Sequence, residues 1–138
     1  MKRTAYTTLA TMVLILISLV PAYAQKAAAT ANVPFTFTVD DVRMPAGEYL
    51  ISSPSERVIT IQRIGGSEAK ATLTNEGSAV GSSSQPELVF HKYGNAYFLA
   101  AARMPNADHA REFFASANEI QVARSGGQDV IELALLKK

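Results

Sequence analysis

Two apolar runs, Leu88-Val89-Phe90-His91-Lys92-Tyr93 and Ala96-Tyr97-Phe98-Leu99-Ala100-Ala101, meet at Gly94-Asn95. Glycine followed by asparagine suits a two-residue hairpin turn of type II′ or I′. Such a turn fixes a register. Lys92 faces Tyr97, Phe90 faces Leu99 and Leu88 faces Ala101 on one side of the hairpin. Tyr93 faces Ala96, His91 faces Phe98 and Val89 faces Ala100 on the other. Both sides are largely apolar, so the hairpin reads as a central element covered on both faces.

The rest of the chain is punctuated in the same way. Residues 25–32 are Ala-rich without strand patterning and read as a loose leader. Phe35, Phe37 and Val39 alternate with Thr36 and Thr38 in a strand that starts at Val33, and Asp40-Asp41 ends it. Val42-Arg43-Met44 is extended, and Pro45-Ala46-Gly47 is a turn. A strand with Tyr49 and Ile51 on one face follows over residues 48–53, then a turn at Pro54-Ser55-Glu56. Residues 57–64 form a strand with Ile59 and Ile61 inward, Gly65-Gly66-Ser67 connects, and residues 69–74 form another. Residues 75–86 hold Gly77, Gly81 and three consecutive serines, and read as a loop. Past Pro105 the period changes. Ala110, Phe113, Phe114 and Ala117 fall at i, i+3, i+4 and i+7, one stripe of a helix that Asn106 or Asp108 can cap. Residues 119–123 then read as a strand, residues 125–128 as a turn and residues 129–136 as a last strand. Seven to nine short strands at roughly ten-residue spacing predict an all-β, mainly antiparallel domain over residues 33–138. The expected architecture is a small β-sandwich or partly open barrel with one short late helix.

The N-terminus has a different character. Lys2 and Arg3 precede an apolar run from Leu9 to Val20, and Pro21 and then Ala22-Tyr23-Ala24 follow. This is the layout of a secretory signal peptide cut between Ala24 and Gln25. The run is about twelve residues long and a membrane span needs roughly twenty, so no stable span is expected after cleavage. Cutting 24 residues from 138 leaves 114, enough for one domain. Losing Lys2 and Arg3 from 13 basic residues leaves 11 against 12 acidic ones, a net charge near −1. No basic cluster remains, which argues against nucleic-acid binding. The chain has no cysteine, so packing and not disulfide bonding must hold it.

No catalytic, cofactor-binding or metal-ligating set can be named. His91 lies in the middle of a strand across from Phe98. It can be read as a ligand or base, or as a half-buried histidine packed on an aromatic ring. His109 and Glu112, at i and i+3, would share a face of the expected helix and offer two metal ligands, but no third is identifiable. Asp40 and Asp41 fit a turn, since neighbouring carboxylates on a strand diverge. No G-x-S-x-G elbow surrounds any serine. Aromatic side chains remain as the means of recognition. His91, Tyr93 and Phe98 are the candidate ligand contacts, and rings of this kind bind sugar rings or apolar molecules when exposed.

Three stretches together carry a resemblance. They are Val33-Pro34-Phe35 with Phe37 and Val39; Met44-Pro45-Ala46-Gly47-Glu48-Tyr49; and the run from Leu88 to Leu99 through Tyr93-Gly94-Asn95-Ala96-Tyr97-Phe98. They resemble a group of small exported β-rich proteins of unknown function that is frequent in acidobacterial genomes. The resemblance implies a bacterial source and an envelope or extracellular location, and it implies no activity.

The expected function is that of an exported, non-enzymatic binding or structural domain of the cell envelope, in the periplasm or outside the cell. Its partner would be an envelope component or a small apolar ligand. The second reading is a carrier with an internal cavity lined by Phe35, Phe37, Phe90 and Leu99. The apolar last strand offers an edge through which copies of the chain could associate.

Overall fold

The computed structural model describes residues 27–77 and 84–137. The expected signal peptide and residues 78–83 of the expected loop over residues 75–86 lie outside the described residues. Among the described residues there are eleven strands and one short helix. The strands are β1 (Ala28–Val33), β2 (Phe37–Val39), β3 (Val42–Met44), β4 (Gly47–Ser55), β5 (Val58–Arg63) and β6 (Ala69–Gly77). Then come β7 (Glu87–Tyr93), β8 (Ala96–Arg103), β9 (Ala110–Phe113), helix α1 (Ala117–Ala123), β10 (Asp129–Ala134) and β11 (Leu136–Lys137). The domain is all-β, as its turn signals predict.

The strands run in the order β10-β7-β8-β9-β6-β5-β4-β1-β11, antiparallel at every step, and the sheet is not closed. Two places make the ladder change partners. The first half of β6 pairs with β5 and its second half, from Thr74, with β9. At the other end, β10 pairs with β7, Leu135 intervenes, and β11 pairs with β1. Strands that switch neighbours in this way form the corners between two packed layers. The last segment, expected to offer an edge, pairs on one side only, with β7 and then with β1, and so stands at both ends of the strand order.

The β2–β3 hairpin sits beside this path. Asp40 and Asp41 have φ of 47° and 64°, and Val39 faces Val42, so they are the two turn residues of a type I′ hairpin. Aspartate tolerates that conformation better than most side chains. The hairpin attaches by a parallel contact of Thr38 with Phe98, along the half of β8 that β9 leaves open.

The core lies between the layers. Ala29, Ala31, Val33, Tyr49, Ile51, Ile59 and Ile61 come from one side, and Leu88, Phe90, Leu99 and Ala102 from the other. Phe37 links them: its ring centroid is 5.2 Å from Tyr49 and 5.3 Å from Phe90, both edge-to-face. The Tyr49 hydroxyl, in the middle of this core, donates to the Pro45 carbonyl, so no buried donor is left over there.

Several expectations need correction. The leader is not loose from Ala28 onward: β1 pairs with β4 over its whole length. Ala29, Ala31 and Val33 alternate inward at 2% exposure or less, a place where small side chains let the sheet pack closely. The strand expected from Val33 through Val39 is split, because β1 ends at Val33 and β2 starts only at Phe37. The hairpin register holds from Tyr93–Ala96 to Phe90–Leu99 and then shifts at a bulge, so that Val89 faces Ala101 and Leu88 faces Ala102. One extra residue on β8 does this. Lastly, helix and strand are exchanged: residues 110–113 form β9, filling the gap between β6 and β8, and the helix follows it. Phe114, placed on the buried stripe of the expected helix, is 57% exposed. The strand over residues 69–74 also runs on to Gly77, taking the first residues of the expected loop.

Candidate functional site

One face of the β7–β8 hairpin lines the core through Leu88, Phe90 and Leu99. The other carries His91, Tyr93 and Phe98, the three residues expected to meet a ligand. The structure does bring them together. The Tyr93 ring stands 5.9 Å from Phe98 and 6.3 Å from His91, edge-on to both. Phe98 and Tyr93 are buried, and His91 is half-buried.

Helix α1 lies against this face, and it is fixed by polar contact. Its N-cap is Ser116, whose hydroxyl accepts from the Glu119 N–H at 3.1 Å. Ser116-Ala117-Asn118-Glu119 has the S-x-x-E spacing of a capping box, a local signal that places the helix start. Glu119 is the buried residue of the helix. Its Oε1 lies 2.8 Å from His91 Nδ1, a distance at which the ring nitrogen donates to the carboxylate. The Tyr93 hydroxyl is 3.4 Å from both Glu119 Oε1 and Gln128 Oε1, so its single proton makes a weaker contact shared between them. Burial, followed by the nearby Glu119 carboxylate, pushes the Tyr93 hydroxyl above its ordinary pKa. Glu119 and Gln128 were not among the expected site residues. Glu119 was read as a strand residue because Ile120 and Val122 alternate.

Beside this cluster opens a cleft of about 590 Å³, between the β2–β3 hairpin, the start of β8 and α1. Thr36, Thr38, Asp41 and Arg43 line it from the hairpin side, and Asn95 from the β7–β8 turn. Asn118 and Val122 line it from the helix, with Tyr93, Tyr97 and Phe98 adding ring surface. The turn at Gly94-Asn95 has positive φ at Gly94 (61°) and not at Asn95, the II′ pattern, and this turn holds Asn95 at the cleft. The Tyr97 ring is stacked on Phe35 at 3.9 Å and 14°, with the Lys92 ammonium 5.7 Å from its centroid. Tyr93 and Phe98 thus belong to the cleft wall, and His91 stands behind it as the anchor of the helix.

The metal reading of His109 and Glu112 loses its geometry. His109 precedes a strand and not a helix turn, and its Nε2 lies 3.6 Å from Glu76 Oε1, both side chains well exposed. Among the described residues no group of three His, Cys, Asp or Glu is placed to hold a metal ion. Nor is any described helix long and apolar enough to cross a membrane.

No protein family, curated protein or solved structure matches this chain.

Proposed function

We propose that the protein is an exported bacterial domain of the cell envelope that acts by binding, and that its binding surface is the cleft between the β2–β3 hairpin, β8 and α1. The observation that carries this reading is the state of the cleft's polar side chains. Thr36, Thr38, Asp41, Arg43, Asn95 and Asn118 converge on one concavity, and none of them has a side-chain hydrogen bond or ion pair among the described residues. Polar groups grouped around a concave surface with their bonding capacity unspent are the usual makings of a ligand site. The export part of the proposal rests on the basic start, the apolar run from Leu9 to Val20 and Ala22-Tyr23-Ala24.

Two features favour binding over catalysis. The His91–Glu119 pair has the first two members of an acid–base relay, yet the nearby Ser116 hydroxyl caps α1. His91 itself does not line the cleft. A carrier with an internal cavity would need open space at Phe35, Phe37, Phe90 and Leu99. Phe35 and Phe37 each pack edge-on against Phe90, at 5.1 and 5.3 Å, which favours the surface cleft over the interior.

The test is capture of envelope material on the immobilised protein, with Arg43→Ala/Asn118→Ala alongside. The proposal expects material retained by the natural protein and lost by the double variant. Equal retention by both would remove the cleft from the account.

A further inference from the structure

We propose that the cleft takes a neutral saccharide unit; this rests on the reading of the cleft as the binding surface and names the chemistry of what enters it. Three features point the same way. The first is the kind of polar group. Arg43 donates, Asp41 accepts, and Thr36, Thr38, Asn95 and Asn118 do both. A ligand that meets all of them must itself present many groups that both donate and accept, which is the property of hydroxyls.

The second is charge. The cleft holds one arginine and one aspartate, two residues apart, so its formal charges cancel. A phosphate or sulfate site gathers cations and keeps carboxylates away. Nucleic acid asks for a basic stripe, and a fatty acid or other lipid tail asks for an apolar trough. Neither is built here.

The third is the ring surface. A sugar ring has hydroxyls at its rim and C–H groups on its faces, so a site for it pairs hydrogen bonders with aromatic rings. Tyr97, half-buried at the cleft, supplies the ring, and Tyr93 and Phe98, only 7% and 2% exposed, back it. Tyr97 is held by its stack on Phe35, and Tyr93 by its place against Phe98 under α1, so the wall is ordered before a ligand arrives. The volume, about 590 Å³, lies inside the range of roughly 300–1,000 Å³ typical of small-molecule sites.

The experiment is titration of the purified protein, followed by calorimetry, with cellotriose, chitotriose and maltotriose, and with inorganic phosphate and decanoate as the charged and lipid-like alternatives. Arg43→Ala and Asn118→Ala remove one exposed polar group each, and circular dichroism checks that they fold. Val130→Ser, on an exposed position of β10, is the control. The expected result is saturable binding of at least one trisaccharide, weakened about three- to tenfold by each cleft variant and unchanged by the control. Saturable binding of phosphate or decanoate in its place overturns the saccharide assignment. So does failure of all three trisaccharides while capture of envelope material still depends on Arg43 and Asn118, and in that case the cleft itself stands. Trisaccharide binding indifferent to both variants overturns the cleft as well.

Discussion

Phe90 and His91 are neighbours on β7 and face opposite sides of it, and the two sides are held by different forces. On the Phe90 side, Phe37, Tyr49, Ile51 and Ile61 are at most 1% exposed. Each apolar side chain buried so fully contributes roughly 1.5–3 kcal/mol, without regard to direction. On the His91 side, α1 leaves Ile120 47% exposed and buries a carboxylate. Its attachment is directional and narrow: Glu119 on His91, with Tyr93 behind. The interior is many small contributions that fail together, whereas the helix is one contact that can fail by itself. Since Asn118 and Val122 belong to the cleft, the more weakly held element is also the one that shapes the site.

The sharpest way to break this contrast is Phe90→Ala. The ring contacts both Phe35 and Phe37, so its removal leaves a cavity at the junction of the layers. The expected cost is about 3–5 kcal/mol in urea unfolding, with every strand affected alike. A loss below about 1 kcal/mol would mean that the rings are not what joins the layers.

Glu119→Ala is the counterpart on the other side. It leaves the His91 donor without its acceptor and the Tyr93 hydroxyl with Gln128 alone, at a cost of about 1–3 kcal/mol. The loss should appear as exchange of the α1 amides, with a smaller change in the global urea midpoint. If the midpoint falls as far as it does for Phe90→Ala, the two regions are one cooperative unit and the contrast is lost. Ser116→Ala should have a like but smaller effect, about 1 kcal/mol confined to α1, because it removes only the cap.

Glu87 sharpens the comparison from within β7. It is 4% exposed, its Oε1 has no partner, and the Nε of Arg103 across the ladder has none either. Burial, aided by repulsion from Glu132 and opposed by Arg103, holds the Glu87 carboxyl above its ordinary value of 4.5. A value raised in the folded state means that the fold holds this proton more tightly than the open chain does. The cost of ionisation is therefore absent below about 4.5 and appears as pH rises through the raised value. Glu87→Gln should match the natural protein near pH 4 and exceed it in stability at pH 7. The opposite trend would show that the Arg103 charge outweighs burial.

The smallest effect is expected at the exposed apolar positions. Leu73 is 62% and Phe114 57% exposed. Leu73→Ser or Phe114→Ser should change stability by no more than about 0.5 kcal/mol.

The parts of this fold that could be read in advance are those fixed by nearby residues. Gly94-Asn95 sets its own hairpin, and Asp40-Asp41 its own turn, because turn geometry is decided within four residues. The Ala100 bulge was hidden, since Ala100, Ala101 and Ala102 are alike and any of them can face Leu88. Residues 28–32 looked like part of a leader because alanine has little strand preference; pairing with β4 decides their state. Ala110, Phe113, Phe114 and Ala117 fit a helical stripe, yet the open edges of β6 and β8 claim residues 110–113. The Ser116–Glu119 spacing was the local sign that the helix begins later. The cleft could not be read at all, because it joins residues 36–43, 93–98 and 118–122, and no one of these segments is a motif.

Native-state hydrogen exchange on the natural protein tests the contrast most directly. The account predicts that amides of β4, β5, β7 and β8 exchange only through global unfolding, while those of residues 117–123 exchange through a far smaller opening. Protection of the α1 amides equal to that of β7 would contradict it.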